Sequence, residues 1–324
     1  MPNIAEVKAI KEEDGKTQFS VVAVLKSMQV RVAKNSSEFL MLEFGDNSGT
    51  ISSMCFDSTP SFGLLRDAQI GDVFEVRGVS DFYQGRFSPK IDSVRKLEPC
   101  EIQEALASLT AVSPFNPEQM RAEFEKLLDT ISDITLRDTV KFAIESTADK
   151  FFSSTAAIKM HHAYMFGLLE HSLRCTRMAV ALAPLYPNVD YDLAVAGAAL
   201  HDIGKVLEYT QGLATDKTRI GILQGHVVLG YRIVRRAGLK CGLNSDILER
   251  LEHIVLSHQG EPEWGAAVRA ATPEAVFVSN IDNFDAKMGA IEAAIEADTS
   301  EFVDVPALRV KVLATKPNHD HKQE

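Results

Sequence analysis

From Ser20 to about Lys96, apolar and polar positions alternate in short runs rich in β-branched and aromatic residues: FSVVAVL, EFLMLEF, TISSMCF, VFEVRGV and FSPKIDSV. The pattern predicts five strands. The segment GDNSG from Gly45 to Gly49 supplies Asp, Asn and Gly for a tight connection, and Tyr83-Gln84-Gly85-Arg86 marks a second hairpin. A helical piece around Ser61 to Ala68 falls between the third and fourth strands. After Pro99 the period changes. Pro117 sits just inside a helix whose stripe is Met120, Phe124, Leu127, Leu128 and Ile131. Helices are then predicted over about 133–147, 164–183, 190–202, 222–237, 245–258 and 273–297, punctuated by Pro184, Pro187, Gly238, Pro262 and Pro273.

The expected architecture is therefore multidomain, an all-β part followed by an all-α bundle. Five strands with a helix after the third is the order of the OB-fold barrel, a frequent binder of single-stranded nucleic acid. Residues 1–98 form the expected barrel, 99–116 a linker, 117–313 the helical domain, and 314–324 a polar, disordered tail. There is no internal repeat.

Composition adds limits. The chain has 324 residues, 45% hydrophobic and 24% charged, which suits two packed domains and disfavours disorder. A net charge of −11 argues against one broad basic surface for duplex nucleic acid. Divided by domain the picture changes: the first 100 residues carry 12 Lys and Arg against 14 Asp and Glu, a net of −2, so −9 belongs to the remainder. Cys55, Cys100, Cys175 and Cys241 form no C-x-x-C pair, which fits free thiols in a reducing cytosol. No stretch approaches the roughly 20 apolar residues a membrane helix needs, so a cytoplasmic protein without membrane partners is expected.

Histidine concentrates in the helical part: none among the first 160 residues, seven from His161 to His258, two in the tail. The strongest pattern is Leu200-His201-Asp202-Ile203-Gly204-Lys205, at the end of the apolar segment DLAVAGAAL. Adjacent helical residues point about 100° apart, so His201 and Asp202 serve one site only where the helix ends, and Gly204 permits a turn there. His171 on an earlier helix and Asp282 on a later one complete two imidazoles and two carboxylates, a mixed nitrogen and oxygen set that suits Mn, Fe, Zn or Mg. Asp282 can alternatively cap a helix or pair with Lys287.

This order, H, then HD, then D, resembles the HD superfamily of metal-dependent phosphohydrolases. The resemblance implies a first metal position from His171, His201, Asp202 and Asp282, and a second that adds His226 and His258. Asp202 would bridge two ions about 3.5 to 4 Å apart. Taken with the barrel, the chain is similar to the YhaM-type bacterial 3′-5′ exoribonucleases. HHAYMFGLLEHSL at 161–173, LHDIGKVLEY at 200–209, GHVVLGY at 225–231, LEHIVLSHQG at 251–260 and IDNFDAK at 281–287 carry the likeness. Where that family usually has two adjacent histidines before Gly, this chain has His258-Gln259, and an amide is a poorer ligand than imidazole.

What the resemblance implies is a metal-dependent 3′-5′ exoribonuclease. A water activated by two ions is the expected nucleophile, Mn²⁺ the expected metal, with Mg²⁺, Co²⁺, Fe²⁺ and Zn²⁺ as alternatives. Asp202 and Lys205 are the expected catalytic residues, Lys205 neutralising charge that develops on the phosphate; a Lys205–Glu208 ion pair is the plainer reading. Asp285 shares a face with Asp282 and is expected to support the ligands. His253 is a further possible ligand, although it lies about 140° from His258 on a regular helix, so both reach one ion only if the helix ends between them. His161 and His162 either line a substrate path or sit on the surface, and His319 and His321 are solvated. In the barrel, Arg31, Lys34, Phe39, Phe82, Tyr83 and Arg86 are the expected contacts to single-stranded RNA, with DNA a second possible substrate. Homo-oligomers are compatible with the sequence. Two other classes remain open: an HD-type nucleotide phosphohydrolase or cyclic-nucleotide phosphodiesterase with a regulatory barrel, and a binding module with a decayed site.

Overall fold

In a computed structural model the alternating runs fold as strands and the 3.6-period runs as helices; it describes residues 1–33, 36–83, 86–157, 164–210, 212–298 and 300–314. The chain divides into two compact units, Met1–Val112 with Thr210–Asp216, and Ser113–Tyr209 with Lys217–Glu324.

In the first unit, α1 (Ile4–Lys8) precedes β1 (Gln18–Val32), β2 (Glu38–Asp46), β3 (Gly49–Phe56), α2 (Phe62–Arg66), β4 (Val73–Val79), the short β5 (Phe82–Tyr83) and β6 (Arg86–Phe87), β7 (Lys90–Lys96) and α3 (Pro99–Leu109). One face of the strands is apolar because alternate residues point the same way: Val21, Ala23 and Leu25 join Leu40, Leu42, Phe44, Ile51, Phe74 and Val76 in the core. The strands pair antiparallel in the order β3-β2-β1-β4-β7. A register shift between Leu25 and Ser27 marks a bulge in β1.

The sheet is open, where the sequence suggested an OB-fold barrel: no ladder joins β3 to β7 among the described residues. Proline supplies a physical reason. Pro89 has no N–H to give a ladder, so the fifth strand begins at Lys90 and not at Phe87, and β3 meets this segment through the Ser53 hydroxyl, which donates to the Pro89 carbonyl at 2.7 Å. Part of the segment read as linker is helical. Pro99 opens α3, and Ile102, Ala105 and Leu109 form an apolar stripe against Val24, Val73 and Leu97.

The second unit contains α4 (Pro117–Leu128), α5 (Ile134–Glu145), α6 (Ala148–Phe151), α7 (Gly167–Leu182), α8 (Tyr191–Leu200), α9 (Lys205–Glu208), α10 (Arg219–Cys241), α11 (Ser245–Ser257) and α12 (Pro273–Ala297). Asn116, Asp133, Asp190, Thr218, Asn244 and Thr272 cap α4, α5, α8, α10, α11 and α12 through their side chains, which satisfies backbone N–H groups of each first turn. Every residue of α8 from Leu193 to Leu200 is buried, so this helix is apolar all round and runs through the core between α5, α7, α11 and α12. The unit is not all-α. A hairpin of β8 (Phe302–Val305) and β9 (Val310–Leu313) follows α12, its four-residue strands too short to give a readable period. The tail expected to be disordered lies outside the described residues from residue 315 on, as do His161 and His162. No helix among the described residues is long and apolar enough to cross a membrane.

Candidate metal centre

Helices α7, α8, α10, α11 and α12 bring a cluster of histidine and aspartate side chains together within the helical unit. His171 lies on α7, behind Phe166, whose φ of 66° is unusual for a bulky residue. His201 is the C-cap of α8 and Asp202 follows it, so the helix does end where the adjacent pair needs it to. Gly204 has an ordinary helical φ of −64°. Its role is therefore not to permit a left-handed turn: a Cβ there would lie 1.9 Å from the His226 carbonyl oxygen, so glycine allows α10 to approach this segment. Gly225, at φ 68° and ψ 160°, breaks α10 immediately before His226, a backbone region open essentially to glycine alone. His258 is the C-cap of α11, and Asp282 and Asp285 lie within α12.

The atoms converge in two groups that share one carboxylate. The His171 Nε2 is 3.0 Å from the His201 Nε2, 3.4 Å from Asp202 Oδ2 and 3.2 Å from Asp282 Oδ1. The His201 Nε2 is 3.6 Å from Asp202 Oδ2 and 3.8 Å from Asp282 Oδ1. The other oxygen, Asp202 Oδ1, faces the Nε2 atoms of His226 at 3.5 Å and His258 at 3.4 Å. His171, His201, Asp202 and His258 are almost wholly buried.

Each imidazole is oriented through its far nitrogen. His171 Nδ1 donates to Asp285 Oδ2 at 2.7 Å, His226 Nδ1 to Glu208 Oε2 at 2.8 Å, and His201 and His258 Nδ1 to the carbonyls of Ala198 and Val255 at 2.9 and 2.7 Å. A proton fixed on Nδ1 leaves the Nε2 lone pair of a neutral ring directed inward. Asp202 Oδ1 is buried and has no hydrogen-bond partner. Inward lone pairs around an orphaned carboxylate oxygen are an unfavourable arrangement of acceptors that a cation relieves, so the donor set fits a divalent metal.

The titration behaviour follows from the same crowding. Burial works against charge on His171, yet the neighbouring carboxylates of Asp202, Asp282 and Asp285 hold it well above the ordinary imidazole value. His201 is pushed down to about 4 by burial. Burial also opposes ionisation of Asp202, but the Lys205 ammonium and the imidazoles keep its carboxyl well below the usual range. Asp282 sits at about 2, burial being outweighed by His171 and His201. Cys175, with Sγ 3.9 Å from His171 Nε2, is pushed by burial up to about 11 and stays a neutral thiol.

Some expected placements differ. The helix continues to Ser257, so His253 does not join His258; its Nε2 accepts the Ala271 N–H at 2.8 Å and holds the loop before α12. Glu208 does not pair with Lys205. It holds His226 and accepts from Lys217 Nζ at 2.8 Å, a role with no signal in the sequence. Lys205 donates to Asp202 Oδ2 at 2.6 Å instead. Asp282 faces the two histidines rather than Lys287. Gln259 brings its amide nitrogen to 3.3 Å from His226 Nε2 and 3.1 Å from His258 Nε2.

In the sheet unit, exposed Arg31 on β1 is opposite Phe39 on β2, which is opposite Phe56 on β3, with the two rings stacked at 5.8 Å. Phe82 and Tyr83 belong to the separate β5–β6 hairpin, Phe82 edge-on to Phe87 and Tyr83 exposed. Arg86 pairs with Tyr83 through the backbone, its side chain lying outside the described residues, as does Lys34 altogether. The expected contacts thus fall on two strand systems.

Comparison with known proteins agrees with the helical unit and extends beyond it. Residues 168–287 match the HD domain model. The chain is 29% identical over 279 residues to the 3′-5′ exoribonuclease YhaM of Geobacillus sp. (strain WCH70), covering 86% of this chain and 85% of the relative. It is 29% identical over 273 residues to the protein of that name from Bacillus subtilis (strain 168), covering 84% and 86%. For Shouchella clausii (strain KSM-K16) the figures are 30% over 273 residues, 84% and 85%.

Proposed function

Because this chain belongs to the family of YhaM-type 3′-5′ exoribonucleases, and is accordingly a phosphodiester hydrolase, we propose that it removes nucleotides from the 3′ end of single-stranded RNA at a centre for two divalent cations. One observation carries the two-ion reading: the carboxylate of Asp202 directs one oxygen toward His171 and His201 and the other toward His226 and His258. In this reading His171, His201, Asp202 and Asp282 hold the first ion, His226, His258 and the shared Asp202 the second, and Mn²⁺ is the preferred metal. Bound there, divalent cations supply Lewis-acid polarisation of the phosphoryl group and lower the pKa of water.

The chain's own residues do the rest. Asp285 and Glu208 fix the rings of His171 and His226, so neither ring has to turn in order to ligate. Lys205 remains an ammonium: burial opposes its charge, but Asp202 prevails. From that position it neutralises negative charge that grows on the phosphate in the transition state. The buried walls around α8 keep the surroundings poor in water, which strengthens each of these interactions.

For the first unit we propose an OB-type single-strand binding role. The strand order and the stacked pair of half-buried Phe39 and exposed Phe56 beside Arg31 support it, since base stacking on aromatics tolerates any sequence. The four free cysteines suit a reducing cytosol. The test uses the full chain, Mn²⁺ and a 5′-labelled single-stranded oligoribonucleotide. A ladder that shortens from the 3′ end is expected; intact RNA alongside hydrolysis of mononucleotides or cyclic nucleotides would replace this reading with a nucleotide phosphohydrolase.

A further inference from the structure

The two halves of the metal centre are not equivalent, because of Gln259. His226 and His258 each carry their proton on Nδ1, toward Glu208 and the Val255 carbonyl, so both Nε2 atoms are acceptors. The Gln259 amide stands 3.3 and 3.1 Å from them. Only its NH₂ end suits that place, one hydrogen for each ring, since a carbonyl oxygen there would face two lone pairs. The same two lone pairs and the orphaned Asp202 Oδ1 are what a second cation would require.

The competition at this end is strict. An imidazole nitrogen has a single lone pair, so His226 and His258 cannot accept from Gln259 and ligate a metal together. Lys205 contacts Asp202 Oδ2, but a carboxylate oxygen has further lone pairs and holds an ammonium and a metal at once.

We propose that the Gln259 side-chain amide is a built-in occupant of the second cation position, so that the two positions fill at unequal concentrations of divalent cation. Entry of the second ion requires the amide to swing away or to rotate and present its carbonyl oxygen. The second position then fills only at the higher concentration. This rests on the two-ion reading of the centre, and its test needs no RNA.

The measurement is Mn²⁺ binding to the full chain by isothermal titration calorimetry, with electron paramagnetic resonance to detect a spin-coupled Mn pair. The wild type should show two classes at least about tenfold apart in affinity, the coupled signal appearing only with the weaker one. Gln259→Ala, which removes the competing donors, should tighten the second class about tenfold and leave the first unchanged. Gln259→His, which replaces the occupant with a ligand, should also tighten it and guards against a folding defect in the alanine variant. Two equal classes in the wild type, or a weaker second class in Gln259→Ala, would overturn the proposal. A single class in both wild type and Gln259→His, or no Mn²⁺ binding at all, would overturn the two-ion reading beneath it.

Discussion

His171 donates its Nδ1 proton to Asp285 Oδ2 at 2.7 Å, across 114 positions of chain, and this bond aims its Nε2 at His201, Asp202 and Asp282. Glu208 does the same for His226. Neither carboxylate faces the centre of the cluster, yet each decides where a ring points. Asp285→Ala should weaken the first class of Mn²⁺ binding and Glu208→Ala the second, each by about 10- to 100-fold. Calorimetric titration of the two variants checks this; equal effects on both classes would contradict the assignment.

Lys205 is buried against Asp202 and keeps its charge. With Lys205→Ala, kcat on single-stranded RNA should fall about 10²- to 10³-fold, as when one preorganised donor to a developing negative charge is removed. The KM for RNA should change little. Steady-state kinetics separate the two quantities, and a loss confined to KM would assign Lys205 to ground-state binding instead.

Two glycines frame His226 for different reasons. Gly204→Ala forces a Cβ against the His226 backbone, which no rotamer change relieves, and should destabilise the protein by about 3 kcal/mol or more. Gly225→Ala meets no neighbour but places a side chain at φ 68°, ψ 160°, and should cost about 1–3 kcal/mol while also weakening Mn²⁺ binding. Denaturant unfolding followed by circular dichroism gives both values.

His253 accepts a backbone hydrogen bond and does not reach the metal cluster. His253→Ala should leave Mn²⁺ stoichiometry and affinity unchanged and lower stability by about 1 kcal/mol, the net value of one hydrogen bond. A lost equivalent of Mn²⁺ by elemental analysis would restore it as a ligand.

A cation that binds only the folded centre stabilises it by mass action. At a free Mn²⁺ concentration of about 100 Kd the gain should be about 2.7 kcal/mol, seen as a rise in Tm that a chelator reverses. Asp202→Ala should abolish that rise together with turnover and leave RNA binding intact. An undiminished Mn²⁺-dependent rise in this variant would remove Asp202 from the centre.

Much of this was legible in the chain. Alternation gave the strands, prolines such as Pro117 and Pro273 marked helix starts, and the placing of His201-Asp202 at the end of an apolar helix followed from the 3.6 period. Short or interrupted signals were lost: the four-residue strands of the hairpin after α12, and α3 behind Pro99. Open rather than closed pairing of the sheet depends on the neighbours each strand finds in space.

The sequence by itself determined which residue types were available and on which local elements: His201 and Asp202 at the end of an apolar helix, His171 on an earlier helix, Asp282 and Asp285 on one face of a later one. Only the tertiary structure decided their partners. Glu208 turned to His226 and not Lys205, His253 to a backbone amide, and Gln259 to two imidazoles, because a polar group drawn out of water pairs with whatever the packing of distant helices brings within about 3 Å. Spacing along one helix cannot specify that, since the satisfying atom comes from another.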